Sequence, residues 1–151
     1  MDDSDATPSL GKLFSILHWQ TRIYVEQQLA STNLTWGEFH ILMRLCHAGQ
    51  MSQRDVTEQL HVSKATTSKM IQKLERDGYI QRKQDERDHR TYIVHTTGKA
   101  QRLHTRLKNI SNRWNDILLN GLTRRQRDAI VTGLNQMIQQ ALQANEETQH
   151  A

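Results

Sequence analysis

The sequence predicts a mainly α fold with one small β-hairpin, and two stretches lead to that reading. Residues 63–77 place Thr67, Met70, Ile71 and Leu74 at helical spacing on one face, with Lys64, Ala65, Ser68, Lys69 and Gln72 on the other. Gly78 then ends the helix in the position usual for a left-handed cap. Two extended runs, Tyr79–Lys83 and Thr91–His95, follow with a charged tip, 85–90, between them. A helix with a short, polar, basic outer face suits the DNA major groove, where lysines meet phosphate or guanine and hydroxyls and amides meet base edges. Followed by a charged hairpin, it predicts a winged helix-turn-helix flanked by long dimerisation helices.

Taken in order, Thr7-Pro8 suits an N-cap with proline in the first turn. Leu10, Leu13, Phe14, Leu17 and Tyr24 then trace a stripe that predicts a helix over about 9–30. Thr35 and Glu38 form a capping box, and Phe39, Leu42, Met43 and Cys46 carry a second helix to about 47, where Ala48-Gly49 stops it. Gln50-Met51 reads as a short extended connector. Ser52 to Asp55 repeats the cap chemistry, so a short helix over about 52–60, a turn at His61-Val62 and the helix over 63–77 make the helix-turn-helix. After the hairpin, Thr96-Thr97 caps a long helix. Its apolar positions Ala100, Leu103, Leu107, Ile110, Trp114 and Ile117 are spaced as a coiled-coil-like seam. Gly121 ends it. Thr123 and Gln126 cap a last helix with a broad stripe from Ile130 to Leu142, a pattern for burial against more than one neighbour.

The chain of 151 residues reads as a single protomer, 1–151, with a DNA-binding lobe at 35–95 and a dimerisation region built from 9–30 with 97–145. A core of that size has no internal use for so much further apolar helix. Burial between two copies explains it, and a dimer presents two recognition helices to a two-fold symmetric site. Charge is unevenly spread. Residues 61–108 hold 12 Lys/Arg against 5 Asp/Glu, a net +7, which leaves −3 for the rest of a chain whose formal charge is +4. A localised basic patch points to a polyanion. The single cysteine excludes an internal disulfide framework. The acidic N-terminus lacks a signal-peptide pattern and no apolar run is long enough to span a bilayer, so a cytoplasmic place without membrane association is expected.

The chain resembles the MarR family of bacterial transcription regulators over about residues 10–142. Leu34-Thr-Trp-Gly-Glu-Phe-His-Ile-Leu42 looks like the family's segment ahead of the helix-turn-helix. Ser52 to Leu60, with Val62-Ser63, looks like its first reading helix and turn. Lys73-Leu-Glu-Arg-Asp-Gly-Tyr-Ile80 looks like the exit from the recognition helix. Asp85-Glu-Arg87-Asp88-His-Arg90 matches the D-x-R-D-x-R wing motif at every fixed position. Thr96-Thr97-Gly98-Lys99 resembles the start of the dimer helix, with His95-Thr96 in place of the usual apolar residue. The resemblance implies a homodimeric repressor that binds a palindromic operator in double-stranded DNA and is released by a small molecule or by thiol oxidation. Carried across, Lys64, Thr66, Ser68 and Lys69 match recognition-helix positions. Arg87 and Arg90 match wing arginines, Arg87 being the candidate for the minor groove, and Asp85 and Asp88 match the acids that hold them. The physics agrees: an arginine fits a narrow, electronegative minor groove, and an adjacent carboxylate can fix its guanidinium fork.

Other constellations are weaker. His40 and His47 lie two turns apart, and no His-x-x-x-His or Cys-x-x-Cys spacing occurs, so no metal and no cofactor is expected. Cys46 reads as a buried thiol. A redox-sensing regulator acting through it, with His47 lowering its pKa, is the alternative. His18, Trp19, Arg22, Trp36 and His40 would line an effector space between the dimer helices and the DNA-binding lobe, suited to a small aromatic carboxylate or phenol. No phosphate loop, nucleophile elbow or paired carboxylates suggest an enzyme. A winged-helix protein-interaction module remains the other class.

Overall fold

The computed structural model describes residues 9–149. The expected Thr7-Pro8 start lies outside them. The first helix, α1 (Leu10–Gln28), is preceded by Ser9 as N-cap. Helix α2 (Trp36–Ala48) begins where the Glu38 carboxylate accepts from the Thr35 backbone N–H at 2.9 Å, the predicted cap chemistry. It ends at Gly49, whose φ of +80° only glycine adopts without strain.

Gln50–Ser52 is extended, as the connector reading requires, but it is also a strand, β1. Helix α3 (Gln53–Leu60) follows, capped by Ser52 Oγ accepting from Asp55 N–H at 3.0 Å. Helix α4 (Lys64–Arg76) is capped in the same way by Ser63 and Thr66 at 3.1 Å. Its exit is a Schellman turn: Tyr79 N–H donates to Leu74 O (2.9 Å) and Gly78 N–H to Glu75 O (3.0 Å). The hairpin is β2 (Ile80–Gln84) and β3 (Tyr92–Thr96), each one residue later than the alternation suggested. Register pairs Ile80 with Thr96 and Gln84 with Tyr92. On its other edge β3 pairs with β1, Met51 opposite Val94, so the sheet order is β1-β3-β2 and the buried Val94 lies on the middle strand. Three residues carry too little alternation to announce a strand, and β1 is specified by its partner.

Helix α5 (Gly98–Leu118) departs from expectation in how it spends its seam. Ala100, Leu107 and Ile110 are buried in the chain's own core with Val25, Leu29, Leu42, Ile71 and Leu74. Trp114 stacks on Tyr24 with ring centroids 4.6 Å apart, and its Nε1–H donates to Thr21 Oγ1 at 3.1 Å. Arg106 donates to Gln28 O (2.6 Å) and Ser31 Oγ (2.9 Å), capping the end of α1. Of the six seam positions, Ile117 is the one left exposed. A 3,4 repeat specifies an apolar stripe but not whose core receives it.

Among the described residues, 9–114 form one compact unit and 115–149 a second. Within the second, Gly121 (φ +77°) turns the chain after α5, and Thr123 with Gln126 caps helix α6 (Arg124–Gln149). The cap is reciprocal, Thr123 N–H to Gln126 Oε1 at 2.8 Å and Gln126 N–H to Thr123 Oγ1 at 3.3 Å. Ile130, Val131, Met137 and Ile138 on α6 are exposed.

Candidate nucleic-acid interface

The recognition helix buries one stripe and offers the opposite one. Thr67, Ile71 and Leu74 are fully buried, while Lys64, Thr66, Lys69 and Gln72 are exposed and Ser68 is half-buried. Among the described residues, Lys64, Lys69 and Gln72 side chains have no hydrogen-bond or ion-pair partner, so their polar heads are available to a ligand. Thr66 is committed in part: its hydroxyl lies 2.8 Å from Ser63 Oγ, within the cap.

The wing tip is built by its acids, though not as expected. Asp85 Oδ1 accepts from Arg87 backbone N–H (2.8 Å) and Asp88 Oδ1 from Arg90 backbone N–H (3.0 Å), and Asp88 Oδ2 also accepts from the Thr91 hydroxyl (3.0 Å). Neither carboxylate pairs with a guanidinium among the described residues. A short aspartate side chain closes a local turn at little entropic cost, whereas ordering an exposed arginine against it costs more than the screened attraction returns. The acids shape the tip, and the exposed heads of Arg87 and Arg90 stay free.

Lys64, Ser68 and Arg90 also line a groove of about 610 Å³ that Arg54 and Thr57 of α3 and Arg82 and Tyr92 of the wing complete. Arg82 is held by Glu75 of α4, with Nη2 2.7 Å and Nε 2.9 Å from Oε2, and lies over the Tyr92 ring at 5.6 Å. The Arg82 hydrogen bond depresses the Glu75 pKa against the opposing effect of burial.

A second cluster assembles on α1 and α2. His18 sits edge-on to Trp19 (5.8 Å) and to Trp36 (6.5 Å), Trp36 is edge-on to His40 (4.0 Å), and Arg22 lies 5.6 Å from the Trp19 centroid. All five expected effector residues therefore come together. Arg22 is already paired with Glu26 at 3.0 Å. Burial, reinforced by Arg44, lowers the His40 pKa to about 4, so this imidazole is neutral near pH 7.

Residues 34–92 match the MarR family. Over 108 residues the chain is 31% identical to the HTH-type transcriptional regulator BilQ of Clostridioides difficile, covering 72% of this chain and 73% of that protein. The crystal structure of a MarR transcriptional regulator from Methanosarcina mazei, 33% identical, aligns with a TM-score of 0.81 over 89% of this chain and 97% of that one. The chain belongs to the MarR family. A MarR-family regulator from Listeria monocytogenes, solved with a 26mer DNA, shares the fold at 20% identity, with a TM-score of 0.83 and 89% of each chain covered.

As a MarR-family protein the chain is a DNA-binding transcription regulator and not an enzyme. No helix among its described residues is long and apolar enough to cross a membrane, and no three metal-ligating side chains are grouped there. Cys46 is half-buried rather than buried: burial raises its thiol pKa, which runs against the lowering by His47 that the redox reading invokes, and Sγ lies 3.8 Å from Ala100 O. Sequence reasoning missed Arg54, Arg82 and the Glu75 that holds Arg82. The available signal was opposite charge on either side of the Gly78 turn, which brings Glu75 and Arg82 side by side.

Proposed function

We propose that the protein binds a palindromic operator as a homodimer and represses transcription in the cytoplasm until a small effector releases it. The observation that carries this is the pairing of an outer α4 face with unpartnered Lys64, Lys69 and Gln72 and a wing whose Arg87 and Arg90 heads are equally unpartnered. In this reading α4, with Ser68 and Thr66, reads base edges in the major groove while Arg87 enters the flanking minor groove. The wing acids Asp85 and Asp88 preorganise the tip. The Listeria structure solved with a 26mer DNA supports DNA as the ligand of this fold. Dimerisation is supported by Leu10, Leu13, Phe14 and Leu17, which recur at helical spacing along α1 and stand 40–54% exposed. The DNA-binding lobe is assigned to 35–95 and the dimerisation region to 9–30 with 97–145.

The effector reading rests on His18, Trp19, Arg22, Trp36 and His40. Their aromatic walls suit a phenol or an aromatic carboxylate, and a carboxylate would compete with Glu26 for Arg22. Selection of bound sequences from a random duplex library at near-physiological salt tests the central claim. The expected result is an enriched palindrome with half-sites about one helical turn apart. Folded dimeric protein that enriches nothing, with or without an aromatic-acid panel present, removes the operator-binding reading in favour of a protein-interaction module.

A further inference from the structure

The recognition helix is gripped on both flanks near its C-terminal end. Lys73 Nζ lies 2.8 Å from Glu38 Oε2, 2.8 Å from Asn33 O and 3.2 Å from Asp77 Oδ2. Glu38, on the first turn of α2, is 2% exposed, and the same Oε2 also accepts from Thr35 N–H. On the other flank Glu75 holds Arg82 of the wing. Lys73 and Glu75 are two positions apart, about 200° around the helix axis, so these grips pull from nearly opposite sides. A third contact lies beside the first: a Cβ at Gly37 would overlap Met70 Sδ, so α2 and α4 touch at two successive positions.

Resting on the DNA-reading assignment above, we propose that Lys73 and Glu75 are positioning residues, whose ion pairs with Glu38 and Arg82 fix the rotation of the recognition helix about its own axis and so decide which side chains meet the bases. Apolar burial is non-directional, so the cover over Thr67, Ile71 and Leu74 sets the rotation of α4 less sharply than a bonded pair does. Charge-assisted hydrogen bonds are directional. A roll of about 20° shifts side-chain tips by about 2 Å at the radius of a helix, beyond the tolerance of a hydrogen bond to a base edge. Burial draws the Lys73 pKa down, and the bonds to Glu38 and Asp77 more than offset it, so the ammonium stays charged in its niche.

The test measures, for each full-length variant, affinity for the selected operator and for random duplex across a salt series, with a melting curve to establish folding. Lys73→Gln, Glu38→Gln and Glu75→Gln are expected to lower the operator-to-random ratio about tenfold each, with the salt slope unchanged and Lys73→Arg restoring the ratio. Glu75→Gln, the more exposed site, keeps the test valid if either variant on the Glu38 side fails to fold. An unchanged ratio with only a lower melting temperature would make the pairs merely structural and overturn the proposal. So would parallel loss of both affinities with a slope reduced by about one, which marks a phosphate contact at Lys73. Failure of the wild-type protein to select any sequence sinks the operator reading itself, and this proposal with it. Selection by the wild type with unaltered ratios in the variants sinks this proposal alone.

Discussion

Single residues separate affinity from specificity. Arg87 has an exposed head and a backbone N–H held by Asp85, so its loss should leave the tip intact. Arg87→Ala is expected to weaken binding to all sequences and to reduce the salt slope by about one charge, read by titration across a salt series. Lys69→Ala should instead cost about 1–3 kcal/mol at a few base positions. His40 supplies a pH-dependent term of different origin. Its pKa is lowered to about 4 in the folded chain, so between roughly pH 6.5 and 4 the unfolded chain takes up a proton that the folded one refuses. Stability therefore falls as pH drops through that window, by no more than about 3 kcal/mol. Urea unfolding across that range should show the decline, and His40→Phe should flatten it.

At the level of elements, close approach is the recurring constraint. Gly37 lets the first turn of α2 meet Met70 of the recognition helix; the atoms a Cβ would meet belong to the flexible thioether end, so Gly37→Ala should cost less than about 1 kcal/mol as Met70 shifts. A urea midpoint that falls by more would show that Met70 is held where it is. The helices were legible in the sequence because their caps are local: Thr35, Ser52, Ser63 and Thr123 each announce a start that the structure keeps. The wing tip was legible as a charged turn, yet the job of its acids was not, since composition cannot say whether a carboxylate bonds a backbone N–H or a guanidinium. The third strand and the Lys73–Glu38 pair were hidden for a common reason. Each joins residues far apart in sequence, the two partners of the ion pair being separated by 35 in residue number.

For the whole molecule, the exposed apolar side chains of α1 and of α6 are the largest unmet demand. Association of two chains would cover them. Phe14→Glu should then yield monomers by sedimentation or light scattering and weaken operator binding, since two linked half-site contacts reinforce one another. A Phe14→Glu protein that stays dimeric would move the interface away from α1. How the long helices would be used was only half legible: the α5 pattern promised an apolar stripe, and most of it belongs to the chain's own interior.

That use of α5 limits how the protein can be cut apart. Ala100, Leu107 and Ile110 share a core with α1, α2 and α4 residues, and Trp114 is pinned to α1 by its stacking on Tyr24. A fragment trimmed at the end of the hairpin would lose three buried members of that core and the stacking partner of Tyr24. The smallest excisable reading head therefore runs from α1 to about Trp114, and a chimera that grafts this wing and recognition helix onto another scaffold must carry the α5 stem along with them.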